Sequence, residues 1–161
     1  MGIFKLFLNK AIVSTSSYAN IIGFNGKIVG IESLFQLKHE DHHDSIDAVL
    51  GKRFGCFNHV DGNIYVFKTT VMYDIYLEKG NVEFLQYFVR KLKHELRHWH
   101  QHHVGKSILG VKWDSFHKNL YAKYGYENCP LEVDARNFEN GKVTFMRETI
   151  SKWISENPDC L

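Results

Sequence analysis

KHELRHWHQHH, residues 93–103, sets five histidines in eleven positions, and within it His94-Glu95-Leu96-Arg97-His98 reads H-E-x-x-H. Two histidines four apart on a helix stand about one turn apart, so both imidazoles can reach one ion. The glutamate after the first histidine projects beside that ion without ligating it, placed to accept a proton from water on the metal. Zinc lowers the pKa of such a water from about 16 to about 7, which makes a nucleophile available near neutrality. The motif therefore predicts a metal centre with His94 and His98 as ligands and Glu95 as general base.

The surrounding sequence predicts the helix this reading needs. Asn81 can cap it, it runs to about His103, and Gly105 follows its end. Leu85, Phe88, Leu92, Leu96 and Trp99 recur at helical spacing as an apolar stripe. At about 100° per residue, His94 and His98 fall roughly opposite that stripe, with His102 one turn further on the same line. His100 points elsewhere, and His103 falls near the apolar side.

Two histidines leave a catalytic zinc one protein ligand short. The segment CPLEVDARNFE supplies candidates, since Pro130 suits the first turn of a helix. Glu132, Ala135 and Phe138 share one face of it at spacing three, and the small Ala135 permits close helix approach. Glu132, 34 residues after His98, is the expected third ligand, with Asp134 in reserve. A solvated acidic helix start, favoured by the macrodipole, would use the same residues.

HELRHWHQ followed by PLEVDARNFE resembles the short gluzincin-type metallopeptidases of bacteria and their phages and mobile elements. There H-E-x-x-H precedes a helix bearing E-x-x-A-x-x-F; the group includes peptidases that inactivate phage-type repressors. The resemblance spans roughly residues 60–140. It implies a zincin-like core of a small mixed sheet, an active-site helix and a ligand-bearing second helix. It also implies one Zn²⁺ on His94, His98 and Glu132, with Glu95 as base and then acid. The NIYVFKTT strand would precede the active-site helix, where an edge strand can hold an extended peptide. Arg136, not an acid, lies four residues after Glu132, so the partner that orients His94 or His98 is open.

Other residues carry weaker signals. Tyr121, Tyr124 and Tyr126 precede the ligand helix, and one could donate to a developing oxyanion, although core or rim packing explains them better. Tyr124 and Tyr126 are retained for this role, with His102 as an outer partner of the ligands; His117 reads as a surface residue. His39, Asp41, His42, His43 and Asp44 form a second candidate ion cluster or a polar loop.

The remainder bounds the class. A chain of 161 residues with 44% hydrophobic and 24% charged residues fits one α+β domain over 1–161. A net charge of +2 argues against nucleic acid as a partner. The start, MGIFKLFLNK, breaks its apolar run too early for a signal peptide or a spanning helix, so residues 1–19 are expected within the fold and no membrane partner is expected. Cys56, Cys129 and Cys160 are widely spaced thiols, in keeping with a cytoplasmic protein. Asn25-Gly26 and Asp61-Gly62 each sit between apolar runs and predict hairpins. Helices are expected over Ser45–Lys52, from Ser115 until Gly125, and from Val143 to Ile154. The predicted function is a zinc metallopeptidase acting on a protein or peptide substrate. The alternative is a catalytically silent zinc-binding phage or mobile-element protein that binds a partner.

Overall fold

The Asp61-Gly62 turn closes the expected hairpin. In the computed structural model, which describes residues 2–32, 54–68 and 70–161 (side chains at 70–74 excepted), β2 (Gly55–Phe57) and β3 (Ile64–Phe67) pair antiparallel, with Phe57 opposite Ile64. Gly62 takes a positive φ of 78°, and the Asn58 amide donates to the Asn63 carbonyl across the loop.

The Asn25-Gly26 hairpin does not form. A helix, α1 (Ile3–Ile22), occupies the run before it and ends on Gly23 in the left-handed conformation. The next strand, β1 (Ile28–Ile31), pairs parallel with β3, Ile28 opposite Ile64. Gly26 serves a close approach instead: a Cβ there would collide with the Gly62 carbonyl. The sheet order is β1-β3-β2, so β3 is central and all four of its residues are buried. The expectation that NIYVFKTT offers an open edge to a peptide is thereby corrected, because both its edges are already paired.

The long helix α2 (Thr70–His103) breaks at Gly80, whose φ of 80° lies outside helical space, so the motif-bearing segment starts afresh at Asn81 as expected. A π-helical turn (Val104–Ile108) follows. α3 (Trp113–Asn128) is interrupted at Gly125, α4 (Pro130–Glu139) begins with its proline, and α5 (Met146–Glu156) precedes a short 3₁₀ turn (Pro158–Cys160). The molecule is thus mixed α+β, mostly helical, with a three-stranded mixed sheet among the described residues. No helix among them is long and apolar enough to cross a membrane. The His39–Asp44 cluster and the Ser45–Lys52 helix lie outside the described residues.

The chain divides into two compact units, Met1–Glu95 and Leu96–Leu161. In the first, the aromatic-rich composition becomes a core: Phe4 and Phe7 of α1, Phe54, and Phe84 and Phe88 of α2 meet edge-on or tilted, with centroids 4.8 Å apart for Phe7–Phe84 and 5.1 Å for Phe54–Phe88. In the second, Trp113, Phe116 and Leu120 of α3, Leu131 of α4, and Met146, Ile150 and Trp153 of α5 close around Cys129 and Cys160. The α-helix ends at His103 as expected, and Gly105 falls in the π-turn just beyond it. Any side chain there would strike the Trp113 ring, so the π-turn passes close to α3 only because residue 105 is glycine.

Candidate metal centre

Pro130 starts α4 directly after the buried Cys129, so Glu132 falls in the first turn, where a carboxylate is favoured by the helix dipole. That turn faces the last turns of α2. Glu132 is 4% exposed, and its Oε1 lies 3.2 Å from His98 Nε2. His94 is one turn earlier on the same helix as His98. One ligand atom from each of His94, His98 and Glu132 lies within 4.8 Å of the others, a group that could hold a metal ion. Sequence spacing alone nominated these three residues.

The donor set fits a cation. Ligands at about 2.0–2.1 Å on a tetrahedral ion stand about 3.3 Å apart, close to the His98–Glu132 separation. Two borderline imidazoles and one hard carboxylate suit zinc and several other first-row divalent ions.

Around the ligands lies a buried polar network. Tyr121 Oη donates to Glu132 Oε1 at 2.6 Å. Burial first, and then the Glu132 charge and this hydrogen bond, push the phenol far above its ordinary pKa, so it stays a donor. His98 Nδ1 lies 2.9 Å from Gln101 Oε1. Gln101, fully buried, donates through Nε2 to the Leu131 carbonyl at 3.0 Å and to Asp134 Oδ2 at 2.8 Å. Arg97 Nε and Nη2 grip Asp134 at 2.8 and 3.0 Å, Nη2 also reaches Thr144 Oγ1 at 2.7 Å, and the guanidinium lies over the Phe138 ring. Asp134, the reserve ligand, is thus taken up by Arg97 and Gln101 and lies outside the His94–His98–Glu132 group.

The remaining candidates scatter. Glu95 is buried at 8% exposure on the turn that carries His94. His102 packs edge-on to Trp113, and His103 stacks on Trp99 at 4.9 Å. His100 is held neutral, its pKa lowered to about 4 by burial and then by the charges of Arg97 and His103, with Asp134 opposing. Tyr124 donates to Asn157 Oδ1, while Tyr126 is 56% exposed and stacks on Tyr121. Of the three tyrosines, Tyr121 has its hydroxyl on a ligand, and His117 meets its ring at 4.8 Å. Arg136 caps the Glu127 carbonyl. Gln101 and Arg97 gave no signal in sequence beyond their place in the motif's helix; polar residues at predicted helix positions three from a candidate ligand are the pattern that could have flagged Gln101.

Comparison of the chain with protein-family models, with curated proteins and with solved structures finds no match.

Proposed function

We propose that this chain is a zinc-dependent metallopeptidase with a zincin-like core, hydrolysing a peptide bond in a protein or peptide substrate in the cytoplasm. The observation that carries the reading is the convergence of His94, His98 and Glu132 with Glu95 between the two histidines in sequence. A zinc ion there would supply an acidified water and a Lewis acid for the scissile carbonyl. The chain's own residues supply the rest. His94, His98 and Glu132 would hold the ion, and Tyr121 orients the Glu132 carboxylate through its hydrogen bond. Glu95 takes the proton from the attacking water as the new C–O bond forms, then delivers it to the leaving amine as the C–N bond breaks. A purely structural zinc site has no use for a base beside the ion, and Glu95 therefore favours the enzyme over a silent binding protein.

Glu95→Gln keeps the side-chain shape and removes the base. Metal content should be unchanged, while cleavage of a quenched-fluorescence peptide library falls to background. Retained hydrolysis in the variant would contradict the role given to Glu95.

A further inference from the structure

Around Gln101 the hydrogen bonds settle more than its position. Its amide nitrogen meets two groups that only accept: the Leu131 carbonyl at 3.0 Å and the Asp134 carboxylate at 2.8 Å. Both Asp134 oxygens already accept from the two-pronged Arg97 contact. Turning the amide over would set its oxygen against both acceptors in a fully buried position, so it has one permitted orientation. Oε1 must then face His98, and the nitrogen 2.9 Å away, Nδ1, must be the one that donates. A neutral His98 consequently presents the lone pair of Nε2 to Glu132 Oε1, 3.2 Å away. Two acceptors facing at that distance repel unless a metal ion or a proton lies between them.

We propose that Gln101, oriented by Asp134 and Arg97, is the positioning residue that locks His98 in its Nδ1–H tautomer and so makes Nε2 a metal donor. The inference rests on the metal centre of the proposed function but not on turnover. It also assigns Asp134 its work, which is to forbid the wrong orientation of the Gln101 amide.

The test is the tautomer of His98, read by long-range ¹H–¹⁵N correlation of histidine-labelled protein at about pH 8. His98 should carry its proton on Nδ1 both without metal and with zinc added, and only its Nε2 resonance should move on zinc binding. Gln101→Met removes the acceptor at similar volume. It should lower zinc affinity by about 10- to 100-fold with the far-UV circular dichroism unchanged. Asp134→Asn, which allows the amide to turn, should shift part of the His98 population to Nε2–H. A wild-type His98 protonated on Nε2, or a folded Gln101→Met protein with undiminished zinc affinity, would overturn the proposal. Should Gln101→Met fail to fold, the wild-type spectrum decides. Neither readout involves turnover, so a protein that behaves this way yet cleaves nothing would support the tautomer lock and contradict the metallopeptidase reading.

Discussion

The two ends of one helical run differ in what they bury. From Asn81 to Leu92, α2 is one-sided: Phe84, Phe88 and Leu92 are buried, while Glu83, Gln86 and Arg90 face solvent. From Glu95 to Gln101 the polar side is buried too, with Arg97 at 2% and Gln101 at 0% exposure beside Leu96 and Trp99. Apolar periodicity marks where a helix packs, and in this chain the two ends share it. Buried polar residues mark where it does chemistry, because each must find partners or cost free energy.

That contrast is most easily broken at two arginines on the same helix. Arg97→Leu would leave the Asp134 carboxylate buried without its main partner; the pair's side chains are only 3% and 9% exposed. A loss of about 3–5 kcal/mol in urea unfolding is expected. Arg90→Leu, on an exposed position two turns earlier, should stay within about 0.5 kcal/mol. Equal effects at the two sites would mean that the network around Asp134 is not a buried one. On the apolar side, Phe88→Ala empties the centre of the aromatic cluster and should cost about 3–5 kcal/mol by the same measurement. Its metal content should stay unchanged, which separates the stability given by the aromatic cluster from the metal group.

A smaller effect is expected from acid. The pKa of His100 is about 4 in the folded chain against 6.5 for the ordinary group, so between those values the unfolded chain binds a proton that the folded one refuses. Stability from this group is therefore complete above about pH 6.5 and declines as pH falls towards 4. His100→Gln should flatten that part of the stability profile of metal-free protein. An unchanged slope would show that His100 protonates in place.

How much of this was legible in the sequence depended on how local each signal was. Pro130 fixes the start of α4 and, with it, the direction of Glu132; Asp61-Gly62 fixes a hairpin whose arms are separated by six residues of the chain. His94 and His98 lie on one turn of helix, so their spacing is their geometry. The failures are long-range. Asn25-Gly26 looks like a hairpin until residues 3–22 are seen as a helix and Ile28 is found paired with Ile64, a parallel contact that no neighbouring residue announces. Leu85, on the apolar stripe, is half-buried, and Phe84, one position away, lies in the core. Arg97 and Asp134 are 37 positions apart, and nothing local to either says that one will neutralise the other. The weight given to Tyr124 and Tyr126 followed their nearness to α4 in sequence, whereas Tyr121, further back on α3, has its hydroxyl on Glu132.

The most direct test of the account is the metal content of untagged protein, wild type beside Glu132→Ala, measured by elemental analysis after zinc is supplied and excess removed. One zinc per chain in the wild type, sharply reduced in the variant, is the expected result, since His94 and His98 alone leave the ion a protein ligand short. Zinc retained in full by Glu132→Ala would contradict the three-residue centre, and no metal in either protein would contradict the centre altogether.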